Sequence, residues 1–192
     1  MRDYLWHLEV DPSVCLISPY PLKLEYQTFD RYGPNGTATH IPTLGILKAD
    51  GAVVYADVVS EAMLKEQWYR ERRRAQLEAA YADQFGASYS IITELALHIQ
   101  PRMDNVRRLW RDNRTRDPQA MSAVRRVVDG HSAEATTIGH IVDQANYGDR
   151  EAAVASVLQL AISGEVQIDL GTPISENTVV TFATADCFDG EG

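Results

Sequence analysis

Hydrophobic and polar positions alternate over short stretches near the start of the chain. In residues 22–26, apolar and charged side chains follow each other with a period of two, which predicts a half-buried β-strand. The apolar residues 14–18 predict another short strand, and residues 3–10, which precede an Asp-Pro pair, predict the last turns of a helix. Residues 31–37 contain two glycines and a proline, and we expect a loop there.

The strongest strand signal lies at residues 39–60. Two apolar runs flank the dipeptide Asp50-Gly51, and an Asp-Gly pair between such runs is a strong indication of a β-hairpin. We therefore predict two strands joined by a tight turn.

The hydrophobic period changes after Ser60. From residue 61 to residue 85, apolar residues recur at steps of three and four, which is typical of a helix. Ser60 is a suitable N-cap for this helix, and Gly86 is a suitable stop. Residues 87–94 are rich in β-branched and aromatic side chains and predict one more strand. Together these elements predict an α/β unit whose helix packs on a sheet.

Helical patterns dominate the second half of the chain, and no further strand is predicted before residue 165. Residues 105–113 and 118–128 predict two short helices that are rich in arginine, and residues 129–135 predict a polar linker. Because the helices are short and separated by polar residues, we expect a small helical domain after the α/β unit.

Two more helices are predicted after the linker, each with a clear N-cap. Thr136 and Thr137 are suitable caps for a helix that ends at Ala145, and Asp149 is a suitable cap for a helix that ends at Ser163. The last helix therefore has a polar start and an apolar body.

Strands at 165–170 and 176–183 would follow this helix and form a wing. Helices followed by a two-stranded wing predict a winged-helix domain. The helix before the wing has Arg150 as its only basic residue. A helix that reads DNA usually presents several polar and basic side chains, so we expect this one to be buried or to contact a protein partner.

Composition limits the class of protein. The chain has 192 residues, of which 45% are hydrophobic, enough for one domain or two small ones. It has no apolar run near the ~20 residues that a membrane span needs, and its first residues do not resemble a secretory signal. We therefore expect a cytoplasmic protein without a membrane partner. Cys15 and Cys187 match no metal or redox spacing, so structural zinc is not predicted.

The charge is unevenly distributed along the chain. Residues 65–126 hold 13 of the 18 Lys and Arg residues and 8 of the 27 Asp and Glu residues, which gives this segment a charge of +5. The rest of the chain carries −14, and the total is −9. Because a local basic surface matters more for nucleic-acid binding than the net charge, the middle of the chain is a candidate for contacts with double-stranded DNA.

Arginine supplies 15 of the 18 basic residues, and its planar guanidinium suits bidentate contacts with phosphate. Such contacts would position DNA without reading its sequence. For the cluster at 70–78, the alternative is a solvated helix face on which arginines pair with neighbouring glutamates. The candidate DNA-binding residues are Arg72, Arg73, Arg74, Arg107, Arg108, Arg111, Arg114, Arg116, Arg125 and Arg126.

The order of these features resembles the TnsA family, the endonuclease subunit of heteromeric transposases. The resemblance implies a restriction-endonuclease-like mixed sheet with a flanking helix at 1–100, a small winged-helix domain at 101–185 and an acidic tail at 186–192. The stretches that carry it are LEVDPSV at 8–14, YPLKLEY at 20–26, HIPTLGILKADG at 40–51, YADVVS at 55–60 and FGASYSIITE at 85–94.

The family resemblance also implies the position of a nuclease site. In that family, an Asp and a Glu or Gln on the two hairpin strands, a Lys two residues later and a Glu on an upstream helix form the site, and the carboxylates hold Mg²⁺. The corresponding positions here are Thr43, Asp57 and Val59, and the upstream glutamate would fall at or before Met1. The site is therefore expected to be degenerate, with Asp57 as the one catalytic or metal-binding candidate and Mg²⁺ as the cofactor only if the chain is active. The alternative for Asp57 is a solvated residue on a strand edge.

These observations lead to one main hypothesis and two alternatives. The main hypothesis is a catalytically degenerate TnsA-like adaptor that associates with DNA in a transposition complex, with a TnsB-like transposase and a TnsC-like ATPase as partners implied by the resemblance. The first alternative is an active metal-dependent endonuclease that cuts transposon ends with a rearranged site, in which Glu61 or Lys65 turns toward Asp57. The second alternative is a repurposed regulator that binds only protein.

Overall fold

The computed structural model describes residues 1–30, 32–66, 69–130 and 135–182. Its contacts divide the chain into two units, one made of residues 1–8 and 13–98 and the other of residues 9–12 and 99 onward. The acidic tail expected at 186–192 lies outside the described residues.

The elements up to residue 98 form a mixed α/β unit. They are α1 (Arg2–Glu9), β1 (Val14–Pro19), β2 (Leu24–Asp30), β3 (Gly33–His40), β4 (Leu44–Lys48), β5 (Val53–Val58), α2 (Glu61–Glu66), α3 (Tyr69–Phe85), β6 (Ser88–Ile92) and α4 (Glu94–Leu97). The main sheet has the order β1-β4-β5-β6. β1, β4 and β5 are antiparallel neighbours, and β6 lies parallel to β5. The predicted mixture of strands and helices in this half of the chain is confirmed.

The turn between β4 and β5 has the geometry that its sequence predicts. Gly51 has a φ of +83°, a conformation that glycine adopts without steric cost. The backbone N–H of Lys48 donates to the carbonyl of Ala52 at 2.9 Å, and the N–H of Ala52 donates to the carboxylate of Asp50 at 2.9 Å. The Asp-Gly pair therefore closes the predicted hairpin.

The prediction of a loop at residues 31–37 is wrong, because β3 begins at Gly33 and pairs antiparallel with β2. Gly33 and Gly36 have φ values of +117° and +151°, and the pairing register shifts between Thr28 and Phe29. Glycine is favoured at such irregular strand positions, and proline is tolerated on a strand with one unpaired edge. Residues that usually mark a loop here belong to a two-stranded ribbon.

Two clusters of buried residues cover the main sheet. The first joins β2, β5, α3 and β6 and contains Leu24, Tyr26, Tyr55, Leu77, Tyr81, Ala87 and Tyr89. The second contains Leu8, Leu44, Ile46 and Ala56. Consecutive side chains of a strand point to opposite faces, so Tyr55 and Ala56 of β5 place the two clusters on opposite faces. Asp57 follows Ala56 and therefore lies on the same face as the aromatic cluster.

The second unit combines helices with a small sheet. Its elements are α5 (Arg102–Asp112), α6 (Pro118–Asp129), β7 (Ala135–Thr137), α7 (Ile138–Ala145), α8 (Arg150–Ile162), β8 (Val166–Ile168) and β9 (Val179–Phe182). The sheet order is β7-β9-β8, with antiparallel pairing throughout. The four predicted helices and the two predicted strands after residue 165 are confirmed.

The expectation that no strand lies between Glu94 and residue 165 is wrong, because β7 does. β7 is only three residues long and contains two threonines, so it has no apolar period that would identify it. Its pairing with β9, 44 residues further along between Thr136 and Val180, makes it a strand. Pairing over such a distance in the chain overrides the local pattern.

The helix starts of this unit use the predicted caps. The Thr137 hydroxyl accepts a hydrogen bond from the His140 backbone N–H at 3.2 Å, and Asp149 accepts one from the Ala152 N–H at 3.1 Å. These side chains satisfy backbone donors that have no partner within the helix. None of the helices in the described parts of the chain has both the length and the apolar character needed to cross a membrane.

Candidate functional site

Asp57 lies on an interior strand. Its strand, β5, is flanked by β4 and β6, and its side chain is 15% exposed. The expectation of a solvated residue on a strand edge is therefore wrong. The physical reason is that a neighbouring strand lies on each side, while the aromatic cluster covers the face to which the side chain points.

The Asp57 carboxylate accepts four hydrogen bonds. Oδ2 accepts from His40 Nε2 at 2.9 Å and from the Tyr89 hydroxyl at 2.8 Å. Oδ1 accepts from the backbone N–H and from the hydroxyl of Thr43, each at 3.1 Å. A carboxylate offers about four acceptor positions, so the donors of this network occupy the acceptor capacity of both oxygens.

Strand register explains why these donors meet Asp57. Leu44 pairs with Ala56 across β4 and β5, so Thr43, which precedes Leu44, faces Asp57. On the other side, Tyr89 of β6 pairs with Tyr55 and lies on the same face of the sheet as Asp57, because residues two apart on a strand point the same way. His40 is the last residue of β3.

His40 extends the network to Tyr81. An ionised carboxylate only accepts hydrogen bonds, so Nε2 of His40 carries a proton, and in the neutral ring Nδ1 accepts from the Tyr81 hydroxyl at 2.9 Å. The ring of Tyr81 is fully buried and stacks on Tyr89 with a centroid distance of 5.3 Å. Tyr81 therefore donates to His40, and His40 donates to Asp57. Tyr89 is a second donor to the same carboxylate oxygen.

The environment of Asp57 keeps it ionised. Burial opposes the charge, but the hydrogen bonds from His40 and Tyr89 and from the backbone N–H of Thr43 outweigh it and lower the pKa of Asp57 to about 2. Burial, together with the nearby charge of Asp57, raises the pKa of Tyr81. Tyr81 is therefore a hydrogen-bond donor and not a source of a reactive phenolate.

The residues around Asp57 do not fit a magnesium site. Mg²⁺ prefers several oxygen ligands in near-octahedral geometry, but both oxygens of Asp57 are already engaged, and the opposing Thr43 directs a hydroxyl donor at them. Within the described residues, no group of three or more His, Cys, Asp or Glu side chains is arranged to hold a metal ion.

The residues that could rearrange the site are engaged elsewhere. Lys65 is 75% exposed, and its Nζ lies 3.9 Å from Glu61 Oε1. The backbone N–H of Glu61 donates to the carboxylate of Glu94 at 2.8 Å. Val59, at the lysine position of the family pattern, donates its backbone N–H to Ile92 at 3.0 Å. In the described chain, none of these side chains is a hydrogen-bond partner of Asp57.

A cavity of about 140 Å³ borders the network. His40, Asp57, Tyr89 and Arg73 are among its lining residues. Pockets that hold drug-sized ligands have volumes of about 300–1,000 Å³, so this cavity is too small to enclose a nucleotide.

Most of the candidate DNA-binding arginines have a partner within the chain. Arg74 pairs with Glu78 at 2.7 Å, and Arg114 lies over the Trp110 ring at 5.1 Å. The side chain of Arg72 lies outside the described part of the structure. The other ion pairs are Arg107 with Asp104 at 3.5 Å, Arg108 with Asp112 at 3.6 Å, Arg111 with Asp112 at 2.9 Å and Arg125 with Glu165 at 2.7 Å.

Two candidate arginines have no such partner. Arg116 and Arg126 are exposed, and neither forms an ion pair within the described residues. Arg116 and Arg125 also border the same pocket between α6 and α8. The arginine surface therefore remains a prediction, and Arg116 and Arg126 are its best-placed members because binding phosphate would cost them no internal ion pair.

The helix before the wing is largely buried. Seven residues of α8, from Ala153 to Ala161, are buried, and Arg150 at its start donates to Glu176 and Asp143 at 2.6–2.7 Å. A DNA-reading helix needs free polar groups on an exposed face, and α8 has few. This burial confirms the expectation that most of the α8 surface packs within the protein.

His40, Tyr81 and Tyr89 are the members of the network that the sequence did not identify. The sequence patterns place Tyr81 in a helix and Tyr89 in a strand, and they indicate no site that would include His40. The tyrosines lie 41 and 49 residues after His40, with no recognisable spacing. The register of β5 and β6 places Tyr89 near Asp57. The packing of α3 and of the β2–β3 ribbon on the sheet places Tyr81 and His40 there. Local patterns contain neither kind of information.

The sequence matches no protein-family model. It also has no significant match among curated proteins.

Proposed function

We propose that this chain is a TnsA-like protein that has lost nuclease activity and acts as a DNA-associated adaptor in a transposition complex. The observation that carries the proposal is the Asp57 carboxylate with its four hydrogen-bond donors. This carboxylate occupies one of the metal-binding positions implied by the family resemblance.

The order of elements supports the nuclease-like part of the proposal. A helix, three antiparallel strands, the consecutive helices α2 and α3, and a strand parallel to the last of the three fit the arrangement expected of a restriction-endonuclease-like domain, with β2 and β3 as an inserted hairpin. The second unit supports a winged-helix assignment. It has two helices, a short strand, two further helices and two wing strands, and the short strand pairs with the last one.

The chemistry of the site supports the loss of activity. Two facing carboxylates repel each other and are brought together by a divalent cation. Here a hydroxyl faces the single carboxylate, and His40 and Tyr89 add further donors. Hydrogen bonds therefore stabilise the charge that a metal ion would neutralise, and Val59 supplies no proton at the lysine position.

The DNA part of the proposal rests on the arginines of the middle segment. Phosphate contacts by exposed arginines give affinity without sequence recognition, and α8 has little polar surface for reading bases. Sequence recognition in the assembly would then come from its partners, which by the family resemblance are a TnsB-like transposase and a TnsC-like ATPase.

Incubation with supercoiled plasmid tests the loss of activity. We expect no nicked or linear product with Mg²⁺ or Mn²⁺ beyond that of a reaction with chelator, because no lone pair of Asp57 is free for a metal ion. The matched control is Asp57→Ala, which should give the same background. Cleavage by the unmodified chain that disappears in Asp57→Ala would refute the proposal and favour the rearranged endonuclease.

Binding to a labelled duplex at several salt concentrations tests the DNA association. We expect affinity to fall as salt rises, and Arg116→Ala or Arg126→Ala to weaken binding about fivefold and to reduce the salt slope by about one. Arg2→Ala removes the same charge from a residue outside the basic segment and should leave affinity within about twofold. Affinity that does not respond to salt, or that falls equally in all three variants, would favour the regulator that binds only protein.

A further inference from the structure

A pocket between α6 and α8 combines an apolar floor with a basic rim. Its volume is about 510 Å³, and Met121, Leu160 and Ile162 are among its lining residues. Arg116 and Arg125 lie on its border. The one carboxylate in the lining, Asp117, accepts hydrogen bonds from two backbone N–H groups and the Tyr147 hydroxyl. Among the described residues, Arg116 is therefore the cation of this lining without an ion-pair partner, and Arg125 is a second cation that Glu165 already binds.

The last described strand ends beside this rim. Phe182 pairs with Val166 in the wing sheet, and the preceding residue, Glu165, binds Arg125 through two hydrogen bonds of 2.7 and 3.0 Å. Strand partners lie about 5 Å apart and successive Cα atoms 3.8 Å apart. Phe182 therefore lies one strand spacing from Val166, and the residue before Val166 is the one that binds the Arg125 side chain.

Residues 183–192, here called the acidic segment, have a composition that complements the pocket. The acidic segment contains Asp186, Asp189 and Glu191 and no Lys or Arg. Its single aromatic residue, Phe188, lies within the sequence Asp-Cys-Phe-Asp. An aromatic ring suits the apolar floor, and carboxylates suit arginines through charge-assisted hydrogen bonds.

We propose that the acidic segment binds the α6–α8 pocket and competes with DNA phosphate for Arg116 and Arg125. This regulation rests on the proposed DNA association, because it concerns the same arginines. The six residues from Phe182 to Phe188 can span up to about 20 Å. Ser163, which lines the pocket, lies three residues before Val166, the strand partner of Phe182, so the pocket is within that span.

The acidic segment belongs to the same chain as the pocket, so it can occupy the pocket even if each of its contacts is weak. A ligand joined by a short linker has an effective concentration in the millimolar range, so a few carboxylates can compete with a longer DNA chain. Arg125 and Glu165 are 48% and 37% exposed, and exposed pairs of this kind are individually weak. Another carboxylate or a phosphate can therefore displace Glu165 from Arg125.

Disulfide formation tests the contact without DNA. The chain has two cysteines, Cys15 and Cys187. In a Cys15→Ser background, Met121→Cys places a thiol in the pocket lining, and Ser122→Cys places one on the next residue of α6, which is exposed and does not line the pocket. Mild oxidation should join Cys187 to position 121 at least about tenfold faster than to position 122. Equal rates at the two positions, or no product at either, would overturn the proposal.

Charge removal then tests competition with DNA in the full chain. Asp186→Asn with Asp189→Asn should bind a labelled duplex about fivefold more tightly at low salt, and the difference should vanish at high salt. The matched control is Glu25→Gln with Asp83→Asn, which raises the net charge equally and should change affinity less than twofold. Equal tightening in the two variants, or none in the first, contradicts competition. If no variant binds DNA while the disulfide at position 121 still forms, the proposed DNA association fails and the contact with the pocket stands.

Discussion

Asp57→Ala is expected to lower the free energy of unfolding of the first unit by about 3 kcal/mol. The substitution removes the acceptor of four hydrogen bonds and leaves donors from His40, Tyr89 and Thr43 without a partner. Unsatisfied buried donors cost about 1–3 kcal/mol each, and water in the adjoining cavity recovers part of that loss. Urea denaturation followed by circular dichroism measures the change.

Asp57→Asn is expected to cost less, about 1.5 kcal/mol, since the amide keeps one acceptor oxygen. Its NH₂ group would face His40 Nε2. In the other neutral tautomer of the imidazole, Nε2 accepts from this NH₂ group and Nδ1–H donates to the Tyr81 hydroxyl oxygen. Asp83→Ala, at an exposed acidic residue of α3, is the matched control and should change the free energy by less than about 0.5 kcal/mol.

The sign of the Asp57→Ala effect separates a structural carboxylate from a functional one. Active sites often reduce stability, because they hold charges and donors in arrangements that suit the substrate, and removing such a group often stabilises the fold. Here the low pKa of Asp57 means that folding favours its ionised form. An unchanged or increased free energy of unfolding in Asp57→Ala would contradict the network as a stabilising element.

Local sequence patterns were sufficient for the elements that local interactions determine. The hairpin turn follows from Asp50-Gly51 because only a few conformations connect adjacent strands. The helices of the second unit follow from their caps, Thr137 and Asp149, which satisfy backbone donors within three residues. In each case, the residues that give the pattern and the backbone groups that they position lie within about four residues of each other in the sequence.

Features that depend on long-range pairing could not be predicted from these patterns. β3 has glycine and proline where a loop is expected, and its strand character comes from pairing with β2. β7 becomes a strand because β9 lies beside it. The Asp57 site has the same origin. Thr43 and Tyr89 reach the carboxylate because β4, β5 and β6 are in register. His40 reaches it because the ribbon of β2 and β3 packs on that face of the sheet. The sequence therefore located Asp57 and Thr43 but not His40 or Tyr89.

The charge pattern of the sequence identified the basic segment, but it did not show which of its arginines are free to bind phosphate. The middle segment is basic, yet several of its arginines bind carboxylates that lie three to forty residues away in the sequence. An arginine in an ion pair loses part of its attraction for phosphate, since a phosphate must displace the carboxylate. The structure therefore directs the DNA-binding test to Arg116 and Arg126.

Tyr81→Ala is expected to lower the free energy of unfolding by about 4 kcal/mol, the usual cost of removing a buried aromatic side chain. The ring is fully buried and contacts Tyr55, Tyr89 and His40 with centroid distances of 4.7, 5.3 and 5.9 Å. Tyr81→Phe is the matched control. It keeps these contacts and removes only the hydrogen bond to His40, so it should cost about 1 kcal/mol.

The ratio of these two losses, measured by urea denaturation, shows what holds His40 toward Asp57. A small loss in Tyr81→Phe and a large loss in Tyr81→Ala would mean that ring packing holds the histidine and that the hydroxyl adds only orientation. Equal losses would instead place the stability in the chain of hydrogen bonds, because the packed ring alone would then contribute little. In that case the network would be more sensitive to single-atom changes, and Asp57→Asn should then cost nearly as much as Asp57→Ala.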